Sequence, residues 1–106
     1  MIARIWHGWT TADNADAYER LLREEVFPGI EAKEVAGYRG IHLLRRPLES
    51  GDVEFTTVMW FDSLDAVRAF AGEDYEAAYV PGAARAVLAR FDARSVHYDV
   101  RAAPPV

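Results

Sequence analysis

Residues 54–70 read EFTTVMWFDSLDAVRAF, and this stretch decides the fold. Its first half, FTTVMWF, is β-branched and aromatic, the composition of a strand with burial on both faces. Asp62-Ser63 interrupts it, and LDAVRAF follows with apolar residues at 64, 67 and 70. That spacing puts Leu64, Val67 and Phe70 on one side of a helix, with Ser63 or Asp62 as its N-cap. A buried strand therefore turns through a two-residue corner into an amphipathic helix, and Trp60 sits where the parts meet. Such a unit needs a sheet with helices packed on one face.

Upstream, Tyr38–Arg46 (YRGIHLLRR) reads as a strand, and the turn from Pro47 to Asp52 makes Val53–Phe61 its hairpin partner. Ile2–Trp9 reads as the first strand, with Ala3, Ile5, His7 and Trp9 on one face and Ile2, Arg4, Trp6 and Gly8 on the other. A helix after Thr10–Asp13 runs to Val26 or Phe27 on a stripe of Tyr18, Leu21, Leu22 and Val26. Pro28-Gly29 ends or kinks it, and Glu31–Gly37 is a polar connection. Downstream, Gly72 stops the second helix, Asp74–Tyr79 reads as a short helical piece, and Pro81 suits the first position of another. That helix spans Ala83–Phe91 with Val87, Leu88 and Phe91 inward, and Arg94–Val100 alternates as a fourth strand. The order β-α-β-β-α-α-β is the split βαβ of ferredoxin-like domains: an α+β fold with a four-stranded antiparallel sheet and helices on one face. The uncovered face carries large residues, so closure of two sheets into a barrel in a homodimer is expected. Residues 1–101 form the single domain and 102–106 a flexible tail.

The 106 residues suffice for one core, and 51% apolar with 27% charged residues is an ordinary globular mixture. The net charge of −5 disfavours nucleic acid, which asks for a basic surface. No apolar run approaches the ~18 residues of a membrane span, and the start has no signal-peptide pattern, so neither a membrane partner nor export is expected. The absence of cysteine removes disulfides, thiolate metal sites and a cysteine nucleophile, and fits a cytoplasmic protein.

From MIARIWHGWT through GYRGIHLLRR and VMWFDSLDAVRAF to RSVHYDV, the chain resembles the antibiotic-biosynthesis-monooxygenase-like domains of the dimeric α+β-barrel superfamily. The resemblance implies a small cofactor-independent monooxygenase that oxidises an aromatic, phenolic or polyketide-like metabolite with O2. The fold also serves unrelated activities, so the alternative is a non-catalytic ligand-binding or dimerisation domain. A haem-degrading branch of the same superfamily uses an asparagine on the first strand, a tryptophan on the helix and a later histidine. The nearest positions here, His7, Phe70 and Tyr79 or Val80, depart from that pattern.

Chemistry must come from few side chains. His7, His42 and His97 all fall in expected strands, and any of them could serve as a base near neutral pH, although each also reads as an ordinary strand residue. They lack metal-ligand spacing, and no metal or cofactor is expected. His7 lies between Trp6 and Trp9 on a strand expected at the sheet's centre. His7 and His42 are the candidate catalytic bases, with Trp60 or a tyrosine as donor and wall. Trp6, Phe70, Tyr75 and Tyr79 offer flat surfaces for a small aromatic or apolar ligand, and Arg39 could hold a developing anion. Tyr75 and Tyr79, four apart, are expected on one helical face.

Overall fold

The computed structural model describes residues 1–103, so the expected tail lies in part, at 104–106, outside the described residues. Strand β1 (Ile2–Thr10) runs through the middle of an antiparallel sheet. On one side it pairs with β3 (Val53–Phe61), from Ile2 opposite Phe61 to Thr10 opposite Val53, and β3 pairs in turn with β2 (Tyr38–Pro47). On its other side β1 takes two short strands, β4 (Arg90–Phe91) against Gly8 and Trp9, and β5 (Val96–Asp99) against Ile2–Ile5. The expected four strands are thus five, because the last crossing of the sheet is made in two pieces. Helices α1 (Ala12–Leu21), α2 (Phe27–Ala32), α3 (Leu64–Ala71) and α4 (Gly82–Val87) complete the chain.

The strand-to-helix unit forms as its composition demands. Ser63 caps α3, its hydroxyl accepting from the Ala66 N–H at 3.2 Å, and Gly72 ends the helix. Alternate residues of β3 turn toward the helices and form two packed clusters. Phe55 meets Tyr18 of α1 edge to face at 4.9 Å among Ala15, Leu22, Val80 and Ala84. Phe61 and Met59 pack with Ile2, Ala66 and Val67, and Phe70 closes this second cluster at 5.6 Å from Phe61. Each such aromatic, fully withdrawn from water, contributes about 1.5–3 kcal/mol. Val67 is inward, as the stripe at 64, 67 and 70 requires, while Leu64 and Phe70 are half-buried.

Three local expectations need correction. Pro28-Gly29 does not end the first helix, which passes through a π turn at Leu22–Val26 and continues as α2 to Ala32. The Phe27 N–H reaches the Leu22 carbonyl five residues back, and this wider turn accommodates the proline's missing N–H and its ring. Asp74–Tyr79 is not helical. Its backbone is drawn sideways into bonds with the following segment, the Ala78 N–H to the Ala93 carbonyl at 3.0 Å and the Ser95 N–H to the Glu76 carbonyl at 2.6 Å. Finally, α4 ends at Val87 rather than Phe91, because residues 89–92 take partners on the free edge of β1. There the Ala89 N–H bonds the Trp9 carbonyl at 2.7 Å and the Asp92 N–H bonds the His7 carbonyl at 2.9 Å.

Candidate functional site

The register divides the aromatic and basic residues between two faces. Opposite the helices lies an open face to which β1 contributes Ala3, Ile5, His7 and Trp9, β3 contributes Glu54, Thr56, Val58 and Trp60, and β2 contributes His42, Leu44 and Arg46. β5 adds Val96 and Tyr98. Leu44, Val96 and Tyr98 keep 52%, 48% and 57% of their surface accessible, a large apolar exposure for one sheet face.

Asp92 organises the centre of this face. Its carboxylate oxygen Oδ2 accepts from the His7 backbone N–H at 3.0 Å and lies 2.8 Å from His7 Nδ1. A carboxylate beside Nδ1 places the ring proton there, so Nε2 keeps its lone pair. The Asp92 carbonyl meanwhile accepts from Trp6 Nε1 at 2.8 Å, from the helix side of the sheet. Gly8 makes this possible. A Cβ there would stand 2.7 Å from the Trp6 ring, so only glycine lets the indole lie along the strand toward Asp92. His7 also stacks on Trp9, with centroids 5.8 Å apart, and Arg90 lies over the Trp9 ring at 3.7 Å. Both His7 and Asp92 are about one-third exposed, so the dyad is reachable from solvent.

A second pair stands diagonally across β3. Trp60 Nε1 donates to His42 Nδ1 at 2.8 Å, and the rings meet edge to face. Indole N–H is donor only, so His42 Nδ1 is unprotonated and the neutral ring carries its proton on Nε2.

The other sequence candidates lie elsewhere. Trp6 is on the helix side of β1 and touches the dyad only through the Asp92 carbonyl. Arg39 is the extra residue of a bulge between Tyr38 and Gly40 and forks onto Asp62 at 2.8 and 2.7 Å. The pair is exposed, and the guanidinium holds the Asp62 carboxyl below the usual carboxylate range. Phe70 is packing against Phe61, with the Lys33 ammonium over its ring at 4.7 Å. Tyr75 and Tyr79 share no helical face: Tyr75 stands edge-on to His97, and Tyr79 is 86% exposed. Arg4, Tyr75, Ala77 and His97 form a separate polar knot beneath the sheet. There the buried Arg4 guanidinium donates to the Tyr75 carbonyl, to the Ala77 carbonyl at 3.4 Å and to His97 Nε2 at 2.9 Å. Among the described residues, no three His, Asp or Glu side chains converge as a metal site would require.

Asp92 is the residue that sequence reasoning missed. It lies 85 positions from His7, and only the return of β4 to the edge of β1 joins them.

No protein-family profile matches the sequence, and no curated protein does. Solved structures match along its full length. A Bacillus cereus protein assigned as an antibiotic biosynthesis monooxygenase superposes with a TM-score of 0.65 at 12% identity, covering 99% of this chain and 95% of that one. An Arg-to-Ser variant of MhuD with two manganese protoporphyrin IX bound per active site gives 0.69 at 19%, covering all of both chains. A Chloroflexus aurantiacus protein assigned like the first gives 0.57 at 17%, with 98% and 96% covered. The chain therefore has the α+β ferredoxin-like fold that these antibiotic-biosynthesis-monooxygenase-like proteins share.

Proposed function

We propose that the chain is a small monooxygenase that oxidises a weakly acidic aromatic metabolite with O2, using His7 as its base. The observation that carries this reading is the His7–Asp92 dyad. Asp92 fixes the tautomer and stabilises the imidazolium that forms when Nε2 takes a proton. Trp9 beside His7, and Trp60 farther along the same face, add aromatic surface near the dyad. Deprotonation turns a phenol or an acidic ring CH2 into an electron-rich anion, which passes an electron to oxygen. For an activated methylene the balance is complete without an external reductant: CH2 becomes C=O, and the second oxygen atom leaves as water.

The fold neighbour with manganese protoporphyrin raises a haem alternative, and the residues here do not fit that group. Tyr79 points into solvent, and the crevice between sheet and α3 is closed by Met59, Phe61, Val67 and Phe70. No step is routed through a porphyrin. The exposed Leu44, Val96 and Tyr98 support a homodimer in which a second sheet covers the open face and dries the dyad's surroundings. No helix among the described residues is long and apolar enough to cross a membrane.

The test is oxygen uptake with chelator present, across hydroquinones, anthrones and related phenols. Protein-dependent, saturable uptake is expected. His7→Gln should lower turnover about 10²–10⁴-fold, the usual worth of a positioned base, and Asp92→Asn should lower it by a smaller factor with the fold intact by circular dichroism. Undiminished turnover in His7→Gln would remove the dyad from the mechanism.

A further inference from the structure

Asp92 breaks the pairing of β4 with β1 in a specific way. Its N–H donates to the His7 carbonyl at 2.9 Å, as in an antiparallel ladder. In a continuing ladder the His7 N–H would return to the Asp92 carbonyl, because facing residues exchange both bonds. That return bond is replaced. The His7 N–H donates to Asp92 Oδ2 at 3.0 Å, and the Asp92 carbonyl accepts from Trp6 Nε1 at 2.8 Å on the helix side. β4 accordingly stops at Phe91, with Gly8 and Trp9 of β1 in register with it. The carboxylate oxygen that takes over the ladder position is the one 2.8 Å from His7 Nδ1. Packing holds the indole where this requires it: Leu88 and Phe91 lie in the same cluster, and Gly8 leaves the space that a Cβ would take, 2.7 Å from the Trp6 ring and 3.2 Å from Leu88. Two residues farther on the same side of β1, the Thr10 hydroxyl donates to the Val87 carbonyl. Two side chains of one strand face thus capture carbonyls of the returning segment.

We propose that Trp6 is the positioning residue of the dyad: by capturing the Asp92 carbonyl it ends the ladder and delivers the Asp92 carboxylate to His7. Without the indole donor, the Asp92 carbonyl returns to the His7 N–H and β4 gains a residue. The carboxylate then loses the backbone bond that keeps it beside Nδ1, and the imidazole loses the partner that fixes its tautomer. The catalytic consequence rests on the function proposed above. Trp6 lies across the sheet from the dyad's open face, so it governs the basicity and tautomer of His7 and not the binding of what His7 deprotonates.

The test is the tautomer itself, read from ring-nitrogen shifts of protein carrying nitrogen-15 histidine, with the His7 signals assigned by their loss in His7→Gln. Wild-type His7 should carry its proton on Nδ1. Trp6→Phe should lower the ratio of Nδ1–H to Nε2–H about tenfold, the worth of a hydrogen bond to a charged group. Trp6→3-benzothienylalanine, which keeps the bicyclic shape and replaces the N–H by sulfur, should do the same with the packing intact. Gly8→Ala, which pushes the ring aside, should follow them. Thr10→Val removes the donor to Val87 and should leave the ratio unchanged. An unchanged ratio in the benzothienylalanine variant, or an equal loss in Thr10→Val, overturns the proposal. On any phenol that supports oxygen uptake, the benzothienylalanine variant should lower kcat and leave KM unchanged. A tautomer change with no uptake on any phenol would uphold this inference and defeat the oxygenase reading alone. Uptake that depends on His7, with the ratio unmoved in the Trp6 variants, would defeat this inference alone.

Discussion

His97 shows how one buried ring can couple stability to pH. Its Nε2 accepts from the Arg4 guanidinium at 2.9 Å, so the ring must be neutral, and its Nδ1 is buried without a partner. Burial, and then the Arg4 charge, pull its pKa below the ordinary value near 6.5, against a smaller opposing pull from Glu76. Because the folded pKa is the lower one, the unfolded chain takes the proton first as pH falls. Stability from this group is complete above the unfolded pKa and is lost as pH drops from there through the folded value. The Asp62 and Glu54 carboxylates are held below their ordinary values by Arg39 and Arg46. Urea melts of His97→Gln and wild type should therefore diverge in pH dependence just below neutrality, the variant being flatter; parallel curves would show that His97 does not titrate between the two states. At this scale the chain was partly legible. His7 stands out in the sequence because it lies between Trp6 and Trp9 on a strand expected at the sheet's centre, where the structure puts that strand. Asp92 does not, since nothing local links an aspartate after Arg90-Phe91 to a histidine on the first strand. Tyr79 misled for a related reason: its helical neighbourhood with Tyr75 dissolved once the 74–79 backbone found partners at 93–95.

Among the elements, the corner between β3 and α3 is closely packed against the loop before β2. The Asp62 N–H bonds the Gly37 carbonyl at 2.8 Å, and Gly37 holds φ at +86° with the Ala66 Cβ only 2.7 Å from where its own Cβ would stand. Gly37→Ala should therefore cost about 1–3 kcal/mol in chemical denaturation, from a strained backbone and overpacking together. A change within a few tenths of a kcal/mol would mean that α3 shifts freely against the loop. Elements with strong periodicity were readable in advance: the 38–47 and 53–61 hairpin, the first strand, and the Ser63-capped helix all stand where alternation and capping put them. Proline was the unreliable signal. Pro28-Gly29 reads as an end or a kink; the π turn before it absorbs the missing donor, and the helix runs on. That compensation depends on backbone geometry spread over Leu22–Phe27, which no single residue announces.

For the whole molecule, the open face sets the expectation for assembly. The wild-type chain should sediment as a dimer across the micromolar range, and Leu44→Glu or Tyr98→Glu should give a folded monomer, because each side chain is about half exposed in the single chain and packs no core. A monomeric wild type would leave the face to a small ligand alone. Bulky residues on both faces of the first strand are what make a second sheet an expectation. Which face lay open was not, because Trp6 and Trp9 are equally large and only the placement of α1 and α3 decides between them.

The position of β1 has a consequence for how the molecule is made. The β2–β3 hairpin closes through a short turn at 48–52 and can form as soon as its residues are synthesised. β1 leaves the ribosome first, yet its outer edge is satisfied only by residues 90–99, with Ile2 waiting for Asp99. Until those residues are made, the outer edge of the central strand is a bare, aggregation-prone template, and the last contacts formed carry the largest loop-closure cost. Folding speed should therefore be governed by the pairing of β1 with β4 and β5, and the same late event that finishes the sheet brings Asp92 to His7.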